Sequence, residues 1–194
     1  MKIFKRIVKS VLNFPSSIYN RLLFVFYKVK IGKKRRIRGR LFVRNHGVVH
    51  IGDYFLCNSN LKSNPVGGPY RTTLVVSSNA KLIIGNKVGI SGVAIICNKE
   101  ITIEDNVLIG SGCCIYDTDF HSVEYSERVL QEDAGVNEKP VHIKEGAFIG
   151  ARTIVLKGVT IGAHSIIGAG SVVTKSVPDN ELWAGNPAVF RRKL

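Results

Sequence analysis

The sequence predicts an all-β parallel solenoid with a helical arm at its N-terminus, and three observations predict it. Aliphatic residues return every six positions at Ile143, Ile149, Val155, Ile161, Ile167 and Val173. Small or branched residues stand four places after the first five of these, at Ala147, Thr153, Val159, Ser165 and Ser171. The same register runs upstream through Ile84, Ile90 and Ile96 and, after one extra residue, through Ile103, Ile109 and Ile115. Helices repeat near 3.6 residues and strands at two, so a period of six is neither. It describes a short flat edge that turns a corner, with the aliphatic residue inward. Stacked edges enclose a column of aliphatic side chains.

The chain reads as an arm, 1–44, a solenoid, 45–178, and a tail, 179–194. The net charge of +14 belongs to the arm. Residues 1–44 hold 14 Lys and Arg and no acidic residue, whereas 45–194 hold 14 of each sign. Two helical pieces are expected around Pro15. The first spaces Ile3, Phe4, Ile7, Val8, Val11 and Leu12 on one face; the second, from Ser16 to about Lys30, is apolar nearly all round. Ser16 or Ser17 is its expected cap. The basic run Lys33–Arg40 follows. Two readings stay open: a cap on the solenoid mouth with its charges in water, or an interfacial anchor attracted to anionic lipid. Nucleic-acid binding is not expected, because no aromatic–basic platform accompanies the charge. No segment reaches the roughly 20 apolar residues of a spanning helix, and Lys2, Lys5, Arg6 and Lys9 interrupt any signal-peptide core.

Ile51 opens the first hexad of the solenoid, and a turn-rich loop follows at Ser63–Pro69. The register then breaks between Ile115 and Ile143. Those 28 positions are not a multiple of six, so residues 116–141 form an inserted loop. Long loops on rigid scaffolds are favoured places for function. Cys57, Cys97, Cys113 and Cys114 show no metal-ligand spacing with histidine, and no metal is expected. They are expected to pack inside a protein of the reducing cytoplasm. A nucleophilic Cys113–Cys114 pair is the lesser alternative.

The insertion opens Tyr116-Asp117-Thr118-Asp119-Phe120-His121-Ser122. An imidazole removes a proton from a hydroxyl as that oxygen attacks a carbonyl, which makes His121 the candidate general base. A carboxylate on its other ring nitrogen would fix the tautomer, and Asp119 is the candidate, with Asp117 nearby. His142 and His164 fall at outward hexad positions, and His46 and His50 precede the regular coils.

The hexads, the insertion carrying Asp-Thr-Asp-Phe-His, and the ending Trp183-Ala184-Gly185-Asn186-Pro187-Ala188 resemble the hexapeptide-repeat acyltransferases. Within them the chain looks like the maltose/galactoside and polysaccharide O-acetyltransferase group, over about residues 45–194. The resemblance implies a left-handed parallel β-helix, an exception to the right-handed crossover rule. It also implies homotrimers with sites in clefts between neighbours. Acetyl-CoA would be co-substrate, its pantetheine arm taking backbone hydrogen bonds at positions matching Gly150, Ala151, Ala169 and Thr174. Phe148 stands where several relatives have Trp. Lys175 and Arg192 match residues near the nucleotide phosphates, and Val189 stands where some relatives have a second arginine. Ser91 and Asp117 are the candidates for meeting the acceptor. The implied reaction is direct O-acetylation of a sugar hydroxyl of a surface polysaccharide or its precursor. It would occur in the cytoplasm, with a peripheral place at the inner face of the membrane as the finer expectation. The alternatives are N-acetylation of an amino sugar, serine O-acetylation (disfavoured by the lack of a large helical domain), and a non-catalytic or γ-carbonic-anhydrase-like solenoid.

Overall fold

The computed structural model describes residues 16–65, 68, 70–129 and 135–194. The first expected helical piece, Pro15, and Val66, Gly67 and Pro69 of the turn-rich loop lie outside the described residues.

Six coils stack, each giving one strand to each of three parallel sheets. The first coil is β1 (Lys30–Ile31), β2 (Arg36–Gly39) and β3 (Phe42–Asn45), and the second β4 (Val48–Ile51), β5 (Leu56–Ser59) and β6 (Thr73–Val76). The third is β7 (Lys81–Ile84), β8 (Gly89–Ser91) and β9 (Ala94–Cys97). The fourth is β10 (Glu100–Ile103), β11 (Leu108–Ile109) and β12 (Cys114–Tyr116). The fifth is β13 (Val141–Ile143), β14 (Phe148–Ile149) and β15 (Ile154–Val155), and the sixth β16 (Thr160–Ile161), β17 (Ile166–Ile167) and β18 (Val172–Val173). Pairs such as Ile149↔Ile167 and Val155↔Val173 put hexad heads directly over one another.

The interior follows from that register. Ile143, Ile149, Val155, Ile161, Ile167 and Val173 are fully buried, each contributing roughly 1.5–3 kcal/mol by leaving water. The fifth residues of the hexads fill the corners, where a larger side chain would not fit. Those with hydroxyls satisfy them locally: Ser165 Oγ donates to Pro178 O at 2.6 Å, Ser171 Oγ to Gly168 O at 2.6 Å and Thr153 Oγ1 to Gly168 O at 3.2 Å. Unpaired, such buried groups would be costly.

The solenoid starts earlier than the sequence boundary at 44/45. The first coil opens at Lys30 and contains the whole basic run. The reason is a period of two hidden under the charge: Arg36, Arg38 and Arg40 point out, while Gly39 and Leu41 are buried and Ile37 packs against the core. A helix, α1 (16–26), lies across the mouth of this coil. Its buried Asn20 donates to Gly39 O at 2.8 Å and accepts from Leu41 N at 3.0 Å. Phe24 and Val29 enter the core, with Leu23 and Tyr27 packed against it.

At the far end the tail adds β19 (Glu181–Gly185) parallel to β17, then β20 (Ala188–Lys193) antiparallel to β19. The Asn186–Pro187 peptide between them is cis. The insertion leaves after β12 and returns at β13, as the broken register requires. Its stem is a short antiparallel pairing, with Asp119 N donating to Asn137 O at 3.1 Å and Lys139 N to Asp117 O at 2.9 Å. A five-residue helix, α2 (Tyr125–Val129), sits within it.

Candidate active site

Two corners of the prism hold the candidate residues, one on each edge of the third sheet. Where the third sheet turns into the first, the loop root, Lys157 and Thr174–Lys175 stack on successive coils. The register shows why: Ile115 pairs with Val155 and Val155 with Val173, so two places further on Asp117, Lys157 and Lys175 fall in one column.

Asp117 is fully buried. Its two oxygens accept from the backbone amides of Asn98 at 2.7 Å and Lys99 at 2.8 Å. The expectation that it meets an acceptor therefore gives way: Asp117 ties the loop root to the coil below. Asp119 Oδ1 accepts from Lys157 Nζ at 2.5 Å, both side chains being about three-quarters buried. This carboxylate, expected to serve the imidazole, is thus taken up by a cation from the next coil. His121 is exposed two residues further on. Phe120 between them has φ +67°, packs edge-on against Tyr116 at 5.0 Å, and donates its N–H to Thr118 Oγ1 at 3.1 Å. The histidine therefore follows directly from a fixed turn.

The opposite corner, where the second sheet turns into the third, is almost bare of side chains. Ser91, Gly110, Gly150 and Gly168 occupy equivalent places on successive coils. A Cβ on Gly110 or Gly150 would stand 2.5 Å from the backbone nitrogen of the next coil. Gly150 is buried, donates to Ile167 O at 2.8 Å and accepts from Cys113 Sγ at 3.1 Å. Its N–H and its carbonyl both have partners within the chain. The N–H groups of Ala151 and Ala169 engage no acceptor among the described residues, and Ala169 is exposed. Thr174 extends the open edge of the third sheet, also with its N–H unengaged among the described residues. A row of unpaired amide donors suits a thioester arm rich in amide carbonyls. Ser91 Oγ accepts from Asn58 Nδ2 at 3.2 Å, and Asn58 Oδ1 from Arg38 at 3.2 Å, which gives a polar ladder below the bare corner. Tyr70 and Asn64 wall it from the side: a Cβ on Gly112 would meet the Tyr70 ring at 3.3 Å, and Asn64 Nδ2 donates to Ser111 Oγ at 2.6 Å.

The two corners do not meet within one chain. Ala169 and Thr174 are five residues apart along a flat edge, about 16 Å at strand rise. Lys175 lies on the turn after β18 and Arg192 on β20, both exposed, and no hydrogen bond joins them. Lys157 was not singled out in the sequence. Its signal was present, but only in hexad arithmetic carried across the insertion, from Ile115 to Val155.

Three of the four thiols, Cys57, Cys97 and Cys113, are buried and withheld from nucleophilic chemistry. Burial pushes Cys113 up to about 11 and Cys57 up to about 12. Cys97 is raised by burial and then by the Asp117 charge. His142 Nε2 lies 2.6 Å from Glu104 Oε1 on the outer face of the first sheet, a surface pair. Among the described residues no three His, Cys, Asp or Glu side chains form a metal-binding group.

Comparison with known proteins finds the repeat and relatives that share it. Bacterial transferase hexapeptide (six repeats) matches residues 140–175, and the hexapeptide repeat of succinyl-transferase matches 100–118. The two matches flank the insertion. The galactoside O-acetyltransferase of Lactococcus lactis is 41% identical over 97 residues, 50% of this chain and 45% of that protein. The Escherichia coli galactoside O-acetyltransferase is 36% identical over 100 residues, 52% and 47% of the two chains. Over the coils that these matches cover, the chain is similar to hexapeptide-repeat acetyltransferases. It spans about half the length of the curated relatives it matches. A hexapeptide-repeat acetyltransferase of Vibrio cholerae complexed with acetyl coenzyme A superposes at TM-score 0.54 and 36% identity, over 58% of this chain and 60% of that one. A galactoside acetyltransferase in complex with coenzyme A superposes at 0.55 and 25% identity, over 84% and 64%. The winding is accordingly a left-handed parallel β-helix.

Proposed function

We propose that this chain transfers an acetyl group from acetyl-CoA to a sugar hydroxyl, with His121 as general base. The observation that carries the reading is the loop root, where Asp117 and the Asp119–Lys157 pair hold the histidine-bearing turn against the coils. His121 takes the proton of the acceptor hydroxyl as its oxygen attacks the thioester carbon. An unpaired amide of the bare corner, Ala151 or Ala169, steadies the negative charge on the carbonyl oxygen. The C–S bond then breaks and the proton passes from His121 to the departing sulfur. Asp119 acts at one remove, through Lys157, as a positioning residue.

Because the two corners lie on opposite edges of the third sheet, a second copy supplies the missing half. A homotrimer, with the loop of one copy facing the bare corner of the next, satisfies this for all three sites at once. Thr174, Lys175 and Arg192 hold the nucleotide end, while Ser91 with Asn58 and Arg38 offers the acceptor its polar contacts. The acceptor is a sugar of a surface polysaccharide or its precursor, acetylated in the cytoplasm where acetyl-CoA is made. The galactoside O-acetyltransferase relatives favour a hydroxyl over an amine.

The test is transfer of labelled acetyl from acetyl-CoA to a panel of oligosaccharides and nucleotide sugars, with amino sugars alongside. His121→Ala should lower turnover by about 10²–10⁴-fold with an unchanged circular-dichroism spectrum. Full turnover in that folded variant would remove the mechanism, and transfer to amines alone would move the reaction to N-acetylation.

A further inference from the structure

The first-coil end of the prism carries a surface that acetyl transfer does not use. α1 has two apolar faces. Leu23, Phe24 and Tyr27 turn inward to close the mouth. Ile18, Leu22, Val25 and Phe26, at i, i+4, i+7 and i+8, form a second stripe on the opposite side, 44, 64, 74 and 77% exposed. One apolar face is what a capping helix needs, and nothing among the described residues covers the second.

Charge of one sign surrounds the stripe. Residues 16–44 contain ten Lys and Arg and no acidic residue, and all ten are exposed. Arg21 and Lys28 flank the stripe on α1 and its exit, and the other eight ring the first coil. Those that are held are held by neutral groups: Lys34 Nζ by Tyr54 Oη at 2.9 Å, Arg35 by Gly32 O at 2.9 Å, Arg38 by Asn58 and Arg40 across the Tyr19 ring. Their charge is therefore organised but not neutralised.

We propose that this end face docks on an anionic lipid surface, with the outer stripe of α1 in the interface and the first-coil cations against the headgroups. The stripe alone would suit any apolar partner, and the cations alone any polyanion. An apolar layer beneath a sheet of negative headgroups matches both on one face. A nucleic acid offers no such apolar layer. The docking stands without the acetyl-transfer reading. If that reading also holds, the reaction loop, leaving in the fourth coil, stands three coil spacings, about 15 Å, above the first coil. That height suits a sugar carried on a lipid.

Co-sedimentation of the full chain with phosphatidylcholine vesicles, and with vesicles of equal parts phosphatidylcholine and phosphatidylglycerol, tests the docking. Binding should require the anionic lipid and weaken with added salt. Leu22→Ser/Phe26→Ser, which changes only exposed side chains, should weaken it at least about tenfold, and Arg36→Gln/Arg38→Gln should weaken it and flatten its salt dependence. Sedimentation with neither vesicle, equal sedimentation with both, or undiminished binding by the stripe variant would each overturn the proposal. So would light scattering that shows the stripe variant losing an oligomer, since a second copy would then be the occupant. Tight duplex-DNA binding without vesicle binding would assign the surface to nucleic acid and also overturn it.

Discussion

The two edges of the third sheet are built from the same hexads and do opposite things. At the corner shared with the second sheet, side chains shrink to Ser91, Gly110, Gly150 and Gly168, and the Ala151 and Ala169 amides engage no acceptor among the described residues. At the corner shared with the first sheet the chain ejects a loop and stacks Asp117, Asp119, Lys157 and Lys175. The aliphatic column fixes where each corner sits but is silent about what it carries. A repeat scaffold can therefore hold a smooth binding track and a charged chemical edge a fixed distance apart, each adjustable without disturbing the core. On the proposed reaction, neither edge alone is a complete site.

The difference between the edges is open to attack by substitution. The largest effect is expected at Lys157. Lys157→Met frees Asp119 from its cation, and kcat should fall about ten- to a hundredfold while KM for acetyl-CoA holds. Lys157→Arg should recover much of the loss, because it restores the ion pair. A merely structural role would lower stability without that split, and steady-state kinetics beside thermal unfolding separates the two. Asp117→Ala comes next. It strips two charge-assisted bonds from part-buried backbone amides and should cost about 2 kcal/mol of stability, read by urea unfolding. If Asp117 met the acceptor instead, stability would hold and KM for the sugar would rise. The smallest effect is chemical. A thiol raised to about 11, as Cys113 is, is only about a thousandth thiolate at pH 8. Iodoacetamide should therefore label the half-buried Cys114 first, and Cys57, Cys97 and Cys113 only after unfolding. Rapid labelling of Cys113 in the folded protein would reopen nucleophilic chemistry at the charged edge.

Much of this was legible in the sequence. Hexad heads from Ile84 to Val173 announced the coils, except at Ile96, which faces out while Ile95 takes the core place over Ile115, and the broken count from Ile115 to Ile143 announced the ejected loop and its histidine. The misreadings share a cause: local chemistry hid the period. The arginines at 36, 38 and 40 read as a charge run because their inward partners, Ile37, Gly39 and Leu41, form too short a pattern to stand out. Asp117 read as a free acid because its partners, the amides of Asn98 and Lys99, belong to the coil below and carry no sequence signal. Lys157 pairs with Asp119 across 38 residues, a contact created by stacking and absent from any local motif. The second face of α1 could be read only as excess hydrophobicity until the mouth of the solenoid showed which face was already used.

Subunit complementation tests most directly whether the two edges act from neighbouring copies. His121→Ala and Ala169→Trp each disable one edge and should each be inactive alone. In trimers formed by co-expressing the two, some sites combine an intact loop from one copy with an intact bare corner from the next. Activity should return to about a quarter of wild type for random mixing. No recovery in mixed assemblies that contain both variants would place the whole site within one chain and contradict this account.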